Sequence, residues 1–251
     1  MSNGSLYTNI QNNIATIEFG HPASNSFPSE LLSRLTVSLN ELSSNQDVHV
    51  IILKSEEEKA FCAGASFDEL VAISNFEDGK QFFLGFANVI NAMRNCSKLI
   101  IGRIQGKVVG GGVGLAAACD YCFATEQASV KLSEFTIGIG PFVIEPAVRR
   151  KIGLAALSEL TLDASNWQNA YWAKEKGLYS RVFNTTKEMD VEVEILANKL
   201  SNYNPEALKE MKKALWKGTG NWTMLLEEKA EISGKLVLSD FTKKALQKFK
   251  K

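Results

Sequence analysis

Two stretches of this sequence share one arrangement, in which a run of small residues separates a buried strand from the start of a helix. They are AFCAGASFDEL at 60–70 and VVGGGVGLAAACD at 108–120. The first N–H groups of a helix have no partner within the helix, and the helix dipole favours negative charge there. Glycines let a ligand approach that backbone with no Cβ in the way. Two such helix starts predict N–H donors that converge on an oxygen becoming negative during a reaction, an oxyanion hole.

Hydrophobic periodicity predicts that strands alternate with helices through the first two-thirds of the chain. The strands are expected at 5–10, 14–19, 48–55 and 98–106, with further short strands within 121–132. The helices are expected at 28–42, 67–73 and 79–95, after the glycine triplet, and over most of the chain beyond about 154. This order predicts an α/β fold built from successive ββα units.

The expected domain organisation is one α/β core over residues 1–195, followed by a helical region over residues 196–251. A chain of 251 residues allows one large domain with a small appendage. The C-terminal region is too short for a core of its own. We therefore expect it to pack on the main body or on neighbouring subunits.

Composition argues against several partners. The 28 Lys and Arg residues balance the 28 Asp and Glu residues, whereas nucleic-acid-binding chains usually carry a basic excess. No apolar run approaches the length of a membrane span, and the N-terminus MSNGSLYTNIQ does not resemble a signal peptide. We expect a cytoplasmic protein with no membrane or nucleic-acid partner.

Metal, nucleotide and triad chemistry are poorly supported. Cys119 and Cys122 form one C-x-x-C, but there is no second such pair, and His21 and His49 lie far upstream. We interpret these cysteines as small buried residues between a helix and a strand, and expect no metal. Neither a G-x-G-x-x-G nor a G-K-[ST] motif is present. A catalytic triad is also poorly supported, because both histidines lie outside the glycine loops.

The motifs FCAGASFDEL, IQGKVVGGGVGLAAACD and SEFTIGIGP together resemble the crotonase (enoyl-CoA hydratase/isomerase) superfamily. The similarity runs from the N-terminal hairpin to the terminal lysines. It implies a crotonase-like spiral of ββα units with a helical C-terminal trimerisation region, assembled as a homotrimer or a dimer of trimers. It also implies an acyl-CoA thioester substrate, so coenzyme A arrives with the substrate and no separate cofactor is expected.

The resemblance implies three catalytic positions. The backbone N–H groups of Ala65 and Gly111 would hold the thioester oxygen as it becomes an enolate. Glu134 matches one of the two glutamates of the family's hydratases. The other glutamate lies three residues after the second oxyanion glycine, and here that position is Gly114. A general acid or base contributes about 10²–10⁴-fold, so this difference bears directly on the reaction.

Coenzyme A contacts also follow from the resemblance. The backbone near Phe61, Cys62, Ala63 and Ala65 would cradle the adenine and pantetheine, and Lys248 would meet a phosphate. The family's common AGAD reads AGAS here, and Asp68 stands where a basic residue is often found. A solvated helix face is an alternative interpretation of the terminal lysines.

Four further residues are close in sequence to the segments predicted to form the acyl site. Glu145 lies close enough to the GPF turn to replace the missing carboxylate, although an acid is favoured at a helix start in any case. Asp120 ends the helix that begins at Gly111, so we interpret it as structural. Ile137 and Phe142 are candidate acyl-pocket walls or simple core residues.

The leading functional hypothesis is a lyase that hydrates a short or branched enoyl-CoA, because the Gly114 form resembles bacterial 3-methylglutaconyl-CoA hydratases of leucine breakdown. A distal carboxylate on such a substrate would need a cation. The candidates are Lys107, Lys131, Arg149 and Arg150. The first alternative is a Δ3,Δ2-enoyl-CoA isomerase in which Glu134 alone moves one proton. An alternative of another class is a non-catalytic acyl-CoA-binding subunit.

Overall fold

The chain opens on the predicted hairpin. In the computed structural model, which describes residues 3–56 and 60–248, strand β1 (Ser5–Gln11) pairs antiparallel with β2 (Ile14–Gly20). The turn residues Asn12 and Asn13 have φ of 53° and 63°, a left-handed conformation that asparagine tolerates better than most residues. The alternating pattern on either side of this turn therefore predicted the hairpin correctly.

The strands form two sheets, and the hairpin belongs to the larger one. The larger sheet has the order β1-β2-β3-β5-β7-β9, and the smaller has the order β4-β6-β8. In the larger sheet the further strands are β3 (Val50–Ser55), β5 (Leu99–Ile104), β7 (Tyr121–Thr125) and β9 (Arg181–Phe183). The smaller sheet consists of β4 (Ala60–Cys62), β6 (Lys107–Val109) and β8 (Val130–Lys131). All pairings except that of β1 with β2 are parallel.

Beyond the hairpin, each ββα unit contributes one strand to the larger sheet and the next strand to the smaller sheet, and a helix follows. The helices that follow the small-sheet strands are α2 (Phe67–Ala72), α4 (Gly111–Ala118) and a short 3₁₀ helix (Glu134–Ile137). Because β4, β6 and β8 are parallel neighbours, the three helix starts lie at one edge of the small sheet. Ligands of parallel sheets bind outside the carboxyl ends of the strands. The topology therefore places the three predicted catalytic positions together.

Helices cover both faces of the large sheet. One face packs in the main core against α1 (Ser29–Ser44) and α3 (Phe76–Asn95). The other face is covered by α7 (Thr186–Ser201) through Met189, Val193 and Ala197. The predicted boundary between residues 195 and 196 falls inside α7. The remaining helices are α5 (Glu145–Leu162), α6 (Ala170–Glu175), α8 (Pro205–Leu215), α9 (Trp222–Leu236) and α10 (Asp240–Gln247).

The C-terminal helices pack on the main body of their own chain, one of the two arrangements that the sequence left open. Helix α9 runs against α3, and the contact is closest at Gly79 and Gly234. A Cβ added to Gly79 would lie 2.9 Å from the Gly234 carbonyl oxygen. Helix α10 contacts the 3₁₀ helix, where a Cβ on Gly138 would lie 2.4 Å from the Phe241 ring. Helix α9 therefore reaches the predicted site through Ser233, and α10 packs on the 3₁₀ helix that forms part of it.

Cys119 and Cys122 are fully buried where α4 ends and β7 begins, as interpreted from the sequence. Within residues 3–56 and 60–248, no group of three or more His, Cys, Asp or Glu side chains is arranged to hold a metal ion. No helix in the same ranges is long and apolar enough to cross a membrane.

Candidate active site

A cavity of about 440 Å³ opens at the carboxyl edge of the small sheet. Its walls come from the loop 63–65 after β4, the loop 109–111 after β6 and the segment 133–144 that contains the 3₁₀ helix. Helix α3 contributes three phenylalanines, Phe82, Phe83 and Phe86. Most of this lining is aromatic or aliphatic, with a few polar groups among it. Such a cavity suits a largely apolar ligand that is oriented by a small number of polar contacts.

The two small-residue loops touch each other backbone to backbone. A Cβ added to Gly64 would lie 3.2 Å from the Val109 carbonyl oxygen and 3.6 Å from the Gly111 nitrogen. Gly64 also has φ of +92°, which disfavours any residue with a Cβ. A Cβ on Gly112 would lie 2.7 Å from the Cys62 carbonyl oxygen. The glycines are therefore required because the loop after β4 and the start of α4 approach so closely.

Ala65 and Gly111 both line the cavity. Bonds beside Ala65 hold its loop in place, since Phe27 N–H donates to the Gly64 carbonyl and Ser66 N–H donates to the Phe27 carbonyl. Gly111 is the first residue of α4, so its N–H has no intrahelical acceptor. In the part of the chain that the structure describes, neither N–H donates to another backbone group. Both N–H groups are thus left without a backbone acceptor beside the cavity.

The Glu134 carboxylate lies beside the glycine loop. A Cβ added to Gly110 would be 3.0 Å from Glu134 Oε1, and the φ of Gly110 is +53°, which favours glycine at this position. Glu134 Oε2 is buried and has no hydrogen-bond partner among the described residues. Burial raises the pKa of Glu134 to about 7, because the charged carboxylate is poorly solvated there. A carboxyl group with this pKa both accepts and returns a proton near neutral pH.

Gly114 does not face open space. A Cβ added there would lie 2.4 Å from Ile144 Cγ2 and 2.7 Å from Ile144 Cβ. Ile144 is itself part of the cavity wall. The position where the resemblance places a second glutamate is therefore filled by an isoleucine side chain. Glu134 is the one carboxylate among the described residues that line the cavity.

The carboxylates of Asp120 and Glu145 lie outside the cavity. Asp120 is held by three donors, Ile100 N at 2.7 Å, Lys212 Nζ at 2.6 Å and Trp216 Nε1 at 2.8 Å, which fits the structural role expected for it. Glu145 pairs with Lys229 at 3.4 Å and Arg149 at 3.8 Å. Neither acid lines the cavity.

The residues predicted to contact coenzyme A divide into three groups. Ala63 and Ala65 line the cavity. The side chains of Phe61 and Cys62 are fully buried in the core, and Cys62 Sγ accepts the Gly64 N–H at 3.3 Å, which supports the turn. Lys248 is exposed after α10 and does not line the cavity. Contacts of these residues with coenzyme A remain predictions.

The four candidate cations lie at different places on the molecule, and one of them lines the cavity. Lys131 lines the cavity, donates to the Ser165 carbonyl at 2.6 Å and lies 5.6 Å from the centre of the Trp167 ring. Lys107 lies 5.2 Å from the same ring and is not a cavity residue. Arg149 and Arg150 line a different concavity. The candidate acyl walls are both cavity residues, namely Ile137 and Phe142.

Several cavity residues were not predicted from the sequence. They are Phe82, Phe83 and Phe86 on α3, Ile144 before α5 and Ser233 on α9. The adjacent pair Phe82-Phe83 was an available signal, because two apolar residues about 100° apart on the helix give a wider apolar face than a narrow stripe. A serine in a long helical pattern provides no such signal.

We expect Gly114→Ala to destabilise the protein by about 1–3 kcal/mol, because the added methyl group overlaps Ile144 close to its backbone. Urea unfolding of the variant measures this loss. Gly220→Ala is the matched control, since a Cβ at Gly220 has no neighbour within 4 Å. Adding Ile144→Ala to Gly114→Ala should cost less than the sum of the two single losses, by about 1 kcal/mol. Strict additivity would show that the two positions do not share one space.

Comparisons with known proteins identify the family and the fold. Residues 9–250 match the sequence family described as enoyl-CoA hydratase/isomerase. A peroxisomal Delta(3,5)-Delta(2,4)-dienoyl-CoA isomerase of Arabidopsis thaliana is 31% identical over 193 residues, 71% of this chain and 68% of the relative. The mitochondrial methylglutaconyl-CoA hydratase of Rattus norvegicus is 34% identical over 167 residues, 66% of this chain and 52% of the relative. An enoyl-CoA hydratase structure from Bacillus halodurans has a TM-score of 0.90 at 22% identity, covering 97% of this chain and 99% of that one.

Proposed function

This chain belongs to the enoyl-CoA hydratase/isomerase family, and we propose that within it the protein isomerises a 3-enoyl-CoA to the conjugated 2-enoyl-CoA. The predicted resemblance and the predicted fold class, an α/β core with a helical C-terminal region, are confirmed. In the proposed reaction Glu134 is the single acid–base group, and the N–H groups of Ala65 and Gly111 bind the thioester oxygen.

The proposed reaction moves one proton. The Glu134 carboxylate removes a proton from C2 of the 3-enoyl thioester, and the C–H electrons pass into the thioester as a dienolate. The Ala65 and Gly111 N–H groups stabilise the negative oxygen, and one such donor is worth about 3 kcal/mol of the barrier. The protonated Glu134 then returns the proton at C4, and the double bond moves from C3–C4 to C2–C3. Atoms and charge balance with no water and no second acid.

The packing of Ile144 on Gly114 carries this proposal. Hydration adds a hydroxyl to C3 and a proton to C2, so one group must activate water while a proton is delivered to the neighbouring carbon. Two carboxylates divide that work in the hydratase pattern that the sequence resembles. Here an apolar side chain occupies the second position, and the cavity wall retains one buried carboxylate. A 1,3-proton shift requires only that one group.

Hydration of a short, branched enoyl-CoA is the second candidate. It is supported by the likeness to a methylglutaconyl-CoA hydratase at 34% identity. It is also supported by Lys131, a cation at the cavity wall that could meet a distal carboxylate. In this alternative Glu134 activates the water by itself. The third candidate is a non-catalytic acyl-CoA-binding role, which an assay must distinguish from the two reactions.

A substrate panel separates these functions. Purified protein is incubated with 3-hexenoyl-CoA, crotonyl-CoA and 3-methylglutaconyl-CoA, and the ultraviolet absorbance of the conjugated thioester is followed. We expect absorbance to rise with 3-hexenoyl-CoA, which marks isomerisation. Loss of absorbance with either conjugated substrate at a comparable or faster rate would support hydration instead. Tight acyl-CoA binding without any turnover would support the binding role and contradict both reactions.

The pH dependence of isomerisation should report the Glu134 carboxyl. The carboxylate form removes the C2 proton, and burial raises the pKa of this group to about 7. We therefore expect kcat/KM to rise about tenfold per pH unit below pH 7 and to level off above it. Stopped-flow or steady-state rates between pH 5 and pH 9 provide the measurement. A flat profile through pH 7 would show that Glu134 is not the group that removes the proton.

A further inference from the structure

We propose that Ser233 is a specificity-determining residue that hydrogen-bonds an uncharged oxygen atom on the distal part of the acyl chain. The preferred substrates would then be acyl-CoA thioesters with a hydroxyl or carbonyl group far from the thioester, in place of unsubstituted chains. This inference rests on the proposed function, because it assumes that an acyl-CoA occupies the cavity.

Ser233 combines burial with an unused hydroxyl. The residue is 1% exposed, it belongs to the cavity wall, and its Oγ has no hydrogen-bond partner within residues 3–56 and 60–248. Serines within helices commonly donate to the carbonyl four residues earlier. Ser158 does so to Leu154 at 2.9 Å, and Ser44 does so to Asn40 at 3.3 Å. The Ser233 hydroxyl makes no such bond, so it retains its hydrogen-bonding capacity for another group.

The position of Ser233 places it at the far end of the cavity from the oxyanion donors. Its neighbour Gly234 packs against Gly79 at the start of α3. Further along α3, the Phe86 ring would lie 2.4 Å from a Cβ on Gly111. Seven residues separate Gly79 from Phe86, which corresponds to about 10 Å of helix. A thioester held at Gly111 would therefore extend its acyl chain past Phe86 and Phe82 toward Ser233.

The surroundings of Ser233 determine the chemistry that it can recognise. Leu70, Phe82, Ile139 and Val237 form an apolar cluster at this end of the molecule. An unpaired hydroxyl among such groups is unfavourable, and a plain hydrocarbon chain would leave it unpaired. An oxygen on the chain would pair with it. Sites built to hydrogen-bond a substrate group discriminate strongly against analogues that lack the group.

The recognised oxygen should be uncharged. Lys80, near Gly234, has its Nζ bound to Glu227 at 2.8 Å and Glu231 at 3.0 Å. Lys131 is the cation among the described cavity residues, and it lies next to Gly110, whose N–H donates to its carbonyl. A carboxylate at the Ser233 end would thus be desolvated with no cation assigned to it. A hydroxyl or a carbonyl avoids that cost.

Affinities for saturated thioesters test this inference independently of turnover. Hexanoyl-, octanoyl- and decanoyl-CoA are each compared with their chain-terminal hydroxy derivatives by isothermal titration calorimetry, in the wild type and in Ser233→Ala. For at least one chain length we expect the hydroxy form to bind the wild type about tenfold more tightly, and Ser233→Ala to abolish this preference. Ser158→Ala is the matched control and should retain it.

Thermal unfolding provides a second readout. Because Ser233→Ala removes a buried hydroxyl that lacks a partner, we expect its Tm to rise by about 2–4 °C, and to rise more than that of Ser158→Ala, which gains only the helix propensity of alanine. Equal hydroxy preferences in the wild type and Ser233→Ala, or a fall in Tm, would overturn the inference. Failure of isomerisation with the binding preference intact would contradict the proposed reaction and leave the role of Ser233 supported.

Discussion

Glu134→Gln is expected to lower kcat/KM for a 3-enoyl-CoA by about a thousandfold, because one carboxylate performs both proton transfers of the proposed reaction. The amide retains the size of the side chain but cannot accept the C2 proton. No other described carboxylate lines the cavity, and Ile144 fills the space beside Gly114. Steady-state rates from the rise in conjugated-thioester absorbance measure the loss.

Glu145→Gln is the matched control for this variant. Glu145 is close in sequence to the cavity segment but pairs with Arg149 and Lys229 outside it, so its removal should change the rate by less than about threefold. Acyl-CoA affinity should survive in Glu134→Gln, since the oxyanion donors are backbone groups. Unchanged turnover in Glu134→Gln would exclude both isomerisation and hydration through this residue.

Lys212→Met is expected to destabilise the protein by about 3–5 kcal/mol. Lys212 is 2% exposed, and its Nζ lies 2.6 Å from Asp120 Oδ2. Asp120 also accepts from Trp216 Nε1 and Ile100 N, so this network joins the C-terminal end of α8 to β5 and to the end of α4. Removing the lysine would leave a buried carboxylate without its countercharge. Chemical denaturation measures the free energy, and Tm should fall by about 10 °C.

Lys213→Met is the control for burial. This neighbouring lysine is 62% exposed at its side chain and pairs with Glu210 on the surface, so its loss should change stability by less than about 0.5 kcal/mol. Combining Lys212→Met with Asp120→Asn should recover part of the loss, because the uncompensated charge is then also removed. Equal effects of the two lysine substitutions would show that the buried pair contributes no more than a surface pair.

Much of the fold was predictable because the local signals agree with the tertiary structure. Strand alternation around Asn12-Asn13 predicted β1 and β2, and the buried apolar runs predicted β3 and β5. The three-residue strand β9 (Arg181–Phe183) was missed. It lies within a mainly helical stretch and is too short for periodicity to detect. Its pairing with β7 is a tertiary effect.

The centre of the candidate site was also predictable, and its walls were not. The two small-residue turns predicted N–H donors in one place, the resemblance to the family singled out Ala65, Gly111 and Glu134, and all three residues line one cavity. The contact of Ile144 with Gly114 depends on how the segment before α5 packs back on α4. The position of Ser233 depends on how α9 packs on α3. Neither packing leaves a pattern in the local sequence.

Transfer of a deuterium label tests most directly whether a single carboxylate moves the proton. The wild-type protein is incubated in ordinary water with 3-hexenoyl-CoA that carries deuterium at C2, and the product is analysed by NMR. Because Glu134 is buried and carries the label between the two carbons, we expect 2-hexenoyl-CoA in which a measurable fraction of the deuterium has moved to C4. Formation of no 2-hexenoyl-CoA, or formation of 2-hexenoyl-CoA with no deuterium at C4, would contradict the single-carboxylate isomerase.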